Sequence, residues 1–483
     1  MSVKELSYYI DVLFTKKFHQ GILKKPNSTN YRFLNIHSTP QKPFLTYNIL
    51  MKTIGLINHG CAKNLIDSEL MLGMLSAAGY KITLDDNADI VIINTCSFIH
   101  DAETESVRSI LEIANQGKKI IVTGCLPQKH EKDLKKALPE VSAFLGTSDY
   151  GKIVDVVKSI EADMPVEDFI SKNPYYVYPE SVERQQITIG ASSYIKIAEG
   201  CDYRCGYCII PKLRGPYISR PIENITKEAK SLAKKGVSEI VLIAQDTTNY
   251  GKDIYSKPNL PKLLEELNKI DDIEWIRVMY AYPSLMNDDL INAFAKLDKV
   301  VKYIDIPLQH SHPDVLKAMQ RPAFNYSDLI KKMRDRIEGV ALRSTFIVGY
   351  PTETAEQFEH LYNFIEESRF DKMGVFEYSK EKNTISYSQK PHIHAATKRK
   401  RKDTLMKLQQ QISLEINESL IGQKIPSIVE TIDNKGIITA RTYRDAPEID
   451  GVIYVNTTKH YIPGDIISPK VTSVNEYDLF GKL

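Results

Sequence analysis

The chain has 483 residues, with 63 Lys plus Arg against 61 Asp plus Glu, and 42% of it is hydrophobic. That length allows about two to four domains with ample core, and the charge balance argues against a uniformly basic nucleic-acid binder while leaving room for a local basic face. No apolar run approaches the roughly 20 residues needed to span a bilayer. Six cysteines are too few for a disulfide scaffold, so the chain reads as cytoplasmic, in a reducing compartment.

Residues 1–50 carry seven Lys/Arg against Glu5 and Asp11 and are broken by Pro26, Pro40 and Pro43. They lack the apolar segment of a secretory signal. They read as an extension, disordered or not part of the natural product, with Met51 as the functional start. The rival reading is a basic docking arm. From 51 to 160, strands and helices alternate: a strand over Thr53–Asn58, helical spacing from Asn64 to Ala78, and a continuous apolar strand over Asp89–Asn94. A helix over Ala102–Asn115, a strand over Lys118–Gly124 and a helix opening at Pro127 follow. Such alternation predicts a parallel α/β sheet.

Residues 161–186 read as a linker. From 187 to 395 a second alternating block predicts strands at Tyr194–Ala198, Glu239–Ala244, Trp275–Met279, Tyr303–Ile306, Arg343–Val348 and Met373–Phe376, with helices such as Ile225–Lys235 and Leu285–Leu297 between them. Repeated β/α units of this kind predict a partial or full TIM-like barrel, whose chemistry sits at the C-terminal strand face. Residues 396–420 form a charged connecting helix. Over 421–483, five short strands are expected, at Ile425–Thr431, Gly436–Thr442, Gly451–Asn456, Asp465–Thr472 and Tyr477–Leu479. They predict a small β-barrel.

The six cysteines fall into two sets of three. Cys201, Cys205 and Cys208 are tightly spaced as C-x3-C-x2-C, just after the first strand of the second block. Cys61, Cys96 and Cys125 are far apart in the chain, yet each follows the end of a strand in the first block. The ends of parallel strands lie along one edge, where ligand sites form. Three buried free cysteines would be the bland alternative for the spread set. A zinc site needs a fourth ligand, usually from a second C-x2-C or H-x3-H pair, and none is present. Three thiolates on a cubane leave one iron open. That iron can take the amino and carboxylate groups of S-adenosylmethionine, and reduction of the sulfonium then gives a radical.

On the stretches Gly60–Glu69, Asn94–Ile99, Ile197–Cys201, Arg214–Arg220, Gln245–Gly251, Ile306–His310 and Ala446–Gly451, the chain resembles the radical S-adenosylmethionine superfamily. More narrowly it resembles methylthiotransferases of the RimO type, over about residues 52–483. The Ala62-Lys-Asn-Leu65 run is as in that type, whereas Pro216-Tyr-Ile218 stands where many relatives carry basic residues. The resemblance implies an N-terminal methylthiotransferase domain, a radical core and a C-terminal domain of the TRAM type. It implies a radical-generating 4Fe–4S cluster on Cys201, Cys205 and Cys208, and an auxiliary 4Fe–4S cluster on Cys61, Cys96 and Cys125. S-adenosylmethionine would serve as methyl donor and radical source, with a flavodoxin- or ferredoxin-type electron donor and a sulfur donor as partners. The substrate implied is an aspartate β-carbon of small-subunit ribosomal protein twelve, free or in the assembling subunit. Alternatives are a modified adenosine of transfer RNA, or a non-catalytic iron–sulfur carrier or sensor.

Gln245, Asp246, Gln309, Arg343 and Gly349 are the further candidates for cofactor contact. Gln245 and Asp246 follow a strand, Gln309 and Arg343 sit at a strand end and a strand start, and Gly349 lies in a stretch resembling the one near the adenosine in the superfamily. His310 and His312 read as loop histidines, and Lys398–Lys402 as a solvated helix face. Residues 421–483 hold seven Lys/Arg against eight Asp/Glu, which predicts that Asp445, Glu448 and Asp450 dock a basic protein rather than RNA.

Overall fold

The computed structural model describes residues 52–83, 88–97, 100–187 and 190–483, so the expectation for residues 1–50 lies outside the described residues. Two compact units result. One comprises residues 52–59, 74–83, 88–97 and 101–170; the other comprises residues 60–73, 100, 171–187 and 190–483. The helix Ala62–Ala77 starts in the second unit and ends in the first.

The first unit is a five-stranded parallel sheet. Its strands run in the order Lys81–Thr83, Thr53–Asn58, Ile90–Thr95, Lys119–Gly124 and Ala143–Leu145. Every residue of Ile90–Thr95 is buried, as its unbroken apolar run requires of a strand covered on both faces. Order reverses between Thr53–Asn58 and Ile90–Thr95, which makes their C-terminal ends a topological switch point. The two edge strands, Lys81–Thr83 and Ala143–Leu145, span three residues each and were too short for their alternation to register.

In the second unit six parallel strands follow chain order: Ser192–Lys196, Glu239–Ile243, Trp275–Val278, Val300–Asp305, Ala341–Val348 and Lys372–Glu377. No ladder joins the two edge strands among the described residues, so the barrel is partial. Its helices start where side chains can take the first free amides. Asn287 accepts Leu290 N, which delays the expected Leu285 helix to Asp288–Lys296. Asn325 accepts Asp328 N, and Thr354 forms a capping box with Gln357 before Ala355–Ser368. The first expected strand divides: Ser192–Lys196 stays in the sheet, and Ala198–Glu199 turns off to pair with Ile218–Ser219.

The connecting helix spans Ala395–Ser419. The C-terminal strands form one curled mixed sheet, antiparallel except where Ile453–Asn456 pairs with Leu479–Lys482. Six strands appear instead of five. The expected Asp465–Thr472 strand splits into Ile466–Ile467 and Lys470–Val474 around Pro469, which has no N–H for a ladder. Val429, Ile438, Ile453, Val455 and Val471 fill this sheet's core.

Candidate active site

The tight cysteine loop leaves the C-terminal end of Ser192–Lys196. Gly200 has φ +75° and a Cβ there would stand 1.8 Å from Pro216 O, so only glycine fits. Cys201 N donates to Gly215 O at 3.1 Å, Cys208 N to Cys205 O at 3.0 Å, and Gly206 N to Met319 O at 2.7 Å. These bonds hold the loop in place. Burial pushes the Cys201 and Cys208 thiols up to about 12. A cationic metal centre is what turns such thiols into thiolates, and a set of three soft sulfur donors fits an iron–sulfur cubane with an open iron. Among the described residues no three Cys, His, Asp or Glu side chains converge on a single ion position.

Arg321, which the sequence did not single out, lies 8% exposed beside this loop. Its Nη1 is 3.9 Å from Cys205 Sγ and its Nη2 donates to Pro307 O at 2.7 Å. The guanidinium also lies 4.6 Å from the Tyr282 ring centroid, and Tyr282 stacks on Tyr203 at 4.1 Å. A permanent cation beside a thiolate is a stabilising charge-assisted contact.

Gln245, Asp246, Gln309 and Gly349 all follow C-terminal strand ends of the core sheet. Gln245 Nε2 donates to Glu199 Oε1, while its buried Oε1 has no partner in the chain, as a ligand contact would require. Asp246 Oδ1 accepts Thr248 N at 2.8 Å and Asn249 N at 3.2 Å, so one of its oxygens serves its own turn. Gln309 holds φ +73°, unusual for a residue with a side chain, and is pinned by Gln309 N to Thr345 O and Ile347 N to Gln309 O, each 2.8 Å. At Gly349, φ +73°, a Cβ would meet Lys398 Cγ at 2.1 Å. Arg343 differs from these four. It lies inside Ala341–Val348, level with Asp305, and its guanidinium is paired with Asp305 at 2.9 Å and Asp450 at 3.7 Å. His310 is buried against Glu353 at 3.3 Å rather than lying in an open loop.

The spread cysteines occupy the expected chain positions. Cys96 and Cys125 are each the next residue after the paired Thr95 and Gly124, and Cys125 itself opens the helix that was expected at Pro127. Cys61 opens the turn before Ala62–Ala77. Against desolvation, which raises it, the Lys63 and Arg214 charges hold the Cys61 thiol below its ordinary value, as suits a metal-binding thiolate.

From Cys61 a polar chain runs through the second unit to the tight loop. Cys61 Sγ lies 3.5 Å from Asn64 Oδ1, which accepts Arg214 Nη2 at 2.8 Å. Arg214 Nη1 bonds Glu199 Oε2 at 2.7 Å and Asp67 Oδ2 at 3.2 Å. Lys196 Nζ, fully buried, bonds the same two carboxylates at 2.7 and 2.5 Å. Glu199 Oε1 closes the chain by accepting Gly200 N at 3.1 Å, one residue before Cys201. Two cations thus face two carboxylates in a dry site. Desolvation raises both acids. In Glu199 the Arg214 and Lys196 charges outweigh it and hold the carboxyl far below its usual range, whereas in Asp67 desolvation wins.

The C-terminal acids correct the docking expectation. Asp445 pairs with Lys372 at 2.6 Å and accepts from Thr442 Oγ1. Asp450 accepts Tyr303 Oη at 2.7 Å and Ala446 N at 2.8 Å. Both latch the small barrel to the core sheet, and only Glu448 of the three is exposed. Beside them Arg441 reaches Glu239, Ser192 and Glu430, and Arg444 reaches Asp371. In the Lys398–Lys402 run, Arg401 turns inward to Glu353 at 2.7 Å, while Arg399 and Lys400 are exposed.

Three family descriptions match successive parts of the chain: an uncharacterized protein family, UPF0004, over residues 53–146, the radical SAM superfamily over 195–365, and the TRAM domain over 421–483. The ribosomal protein uS12 methylthiotransferase RimO of a Thermoanaerobacter species is 46% identical over 439 residues, covering 89% of this chain and 100% of that one. The protein of the same name from Prochlorococcus marinus is 44% identical over 432 residues, 88% of this chain and 94% of the other. Among solved structures, the radical S-adenosylmethionine methyltransferase TsrM from Kitasatospora setae shares the fold, with a TM-score of 0.52 at 13% identity over 81% of each chain.

Proposed function

This chain belongs to the RimO family of ribosomal protein uS12 methylthiotransferases, and from that premise we propose that it replaces a hydrogen on the β-carbon of a uS12 aspartate with a methylthio group, using two 4Fe–4S clusters. The enzyme works by radical S-adenosylmethionine chemistry on an iron–sulfur cluster. The observation that carries the reading is the pinned loop of Cys201, Cys205 and Cys208 at the C-terminal edge of a parallel partial barrel. Those three thiols would hold the first cluster. Cys61, Cys96 and Cys125, each just past a strand, would hold the auxiliary one.

A cluster held by Cys201, Cys205 and Cys208 would supply the one-electron chemistry on S-adenosylmethionine that an unactivated C–H bond demands. The chain's own residues do the rest. Gln245, with its unsatisfied buried oxygen, together with Gln309 and Gly349, would contact the cofactor from neighbouring strand ends. Asp246 would shape the turn beneath it, and Arg343 would brace the sheet rather than touch ligand. Arg321 would steady the thiolate of Cys205. The Asn64–Arg214–Glu199 chain would fix the Cys61 turn relative to the Cys201 loop. The electron would come from a flavodoxin or ferredoxin and the sulfur from a separate donor, in the cytoplasm; no described helix is long and apolar enough to cross a membrane.

The test is anaerobic. The protein should carry about eight irons per chain, two cubanes' worth, release 5′-deoxyadenosine on reduction, and add the mass of one methylthio group to uS12. Four irons, or a gain on transfer RNA with none on uS12, would overturn it.

A further inference from the structure

Between Tyr378 and Asp403, eight Lys/Arg stand against Glu381 and Asp403, in a chain whose overall net charge is only +2. The stretch leaves the C-terminal end of the last core strand, where Tyr378 N donates to Val348 O at 2.9 Å. It then passes the cysteine loop and is fastened to it. Ser386 N donates to Gly206 O at 2.8 Å, between Cys205 and Cys208, and Lys212 Nζ donates to Asn383 O at 2.8 Å. Gln389 Nε2 donates to Ala318 O at 3.3 Å, and Lys398 Nζ, from the connecting helix, donates back to Tyr378 O at 2.7 Å. The strap is therefore one stitched surface at the mouth of the site.

Lys380, Lys390, Arg399 and Lys400 are exposed on it. Among them stands Tyr387, 38% exposed, with Lys380 Nζ 4.5 Å from its ring centroid. Basic side chains interleaved with an exposed aromatic ring are the elements of single-strand nucleic-acid recognition: phosphate contacts from the cations, stacking on the ring. A free basic ribosomal protein would be repelled by this rim.

We propose that the strap of residues 378–402 docks small-subunit ribosomal RNA, so that the enzyme takes its target residue from an RNA-bearing particle rather than from free protein. This rests on the methylthiotransferase reading for its meaning, but RNA binding is measured without any turnover. The probe is a fluorescently labelled transcript of small-subunit ribosomal RNA, titrated into the full-length, cluster-loaded protein at several KCl concentrations. Replacing Lys380, Lys390, Arg399 and Lys400 by Gln should weaken binding at least tenfold at 100 mM salt. It should also lower the slope of log affinity against log salt by about 3, from roughly 0.7 per lost phosphate contact. Tyr387→Ala alone should cost about tenfold with the slope unchanged, because stacking releases no counterions. Iron content and circular dichroism of both variants should match the parent.

An affinity and slope unchanged in the fourfold variant would overturn the proposal. So would free uS12 binding the parent chain as tightly as intact small subunits do. If the RNA results hold while no methylthio group reaches uS12, the docking surface stands and the reading of the reaction falls.

Discussion

Glu199 and Asp67 accept from the same two cations, yet their substitution should have unequal consequences. Glu199 takes four donors: Lys196 and Arg214, each at 2.7 Å, Gly200 N at 3.1 Å, and Gln245 Nε2. Asp67 takes two, one of them at 3.2 Å. Desolvation acts on both, but the partners overcome it only at Glu199. Glu199 is therefore the charge that balances the buried cations at neutral pH. Glu199→Gln leaves Lys196 and Arg214 facing Asp67 alone, a loss of about 3–5 kcal/mol. Asp67→Asn removes a weaker acceptor and should lose about 1–2 kcal/mol. The pH dependence has opposite signs. The lowered pKa of Glu199 gives stability that is full above its ordinary value and is lost as the pH falls through the folded one. The raised pKa of Asp67 opposes folding above its ordinary value, so the deficit of Asp67→Asn narrows as pH rises. Anaerobic thermal melts of both variants from neutral pH down through the ordinary carboxylate range would read this. If Asp67→Asn melts as low as Glu199→Gln, or Glu199→Gln melts with the parent, the charge assignment is wrong.

Glu239 is fully buried and held at about 2, because Arg441 and Arg277 outweigh its desolvation. Arg441→Met should cost about 3–5 kcal/mol in a melt at neutral pH, and in the parent chain the Glu239 contribution should fade only as pH falls from its ordinary value toward 2. Cys201→Ala and Cys125→Ala should each lower iron by about four per chain, but only Cys201→Ala should abolish 5′-deoxyadenosine release; retention of that release would reassign the loop. Asp445→Asn with Asp450→Asn should lower the melting temperature, since Lys372 and Arg343 lose their charged partners, and should leave uS12 affinity at low salt unchanged.

The strands, and the places of the cysteines just beyond them, were legible because each rests on local pattern. Ile90–Thr95 is an uninterrupted apolar run, and Cys96 and Cys125 sit at equivalent steps beyond strands. The buried charged chain was not legible. Asp67, Lys196, Glu199 and Arg214 are separated by up to 147 positions and look, one at a time, like ordinary surface charges. Nothing in periodicity announces that they meet in a dry site. Arg321 was missed for the same reason: its partners Pro307 and Cys205 come from other loops. Arg343 was read by its place on a strand, which says where it starts but not that Asp305 stands level with it.

The C-terminal barrel shows what a charge count omits. Seven bases against eight acids predicted an acidic docking face. Arg441, Arg444, Asp445 and Asp450 all turn inward to ion pairs with the core, and Glu430 is taken by Arg441. On the outside, Lys424, Lys435, Lys459, Lys470 and Lys482 are exposed, and of the acids only Asp433 and Glu448 are equally so. Asp465 and Asp478 are half-buried and accept Ile462 N and Val452 N. The charges that reach solvent thus have the opposite sign to the count. Long-range attraction acts through those charges, since paired buried ones cancel at a distance. Those exposed charges set which partner surface is attracted, and they agree in sign with the strap beside the cysteine loop.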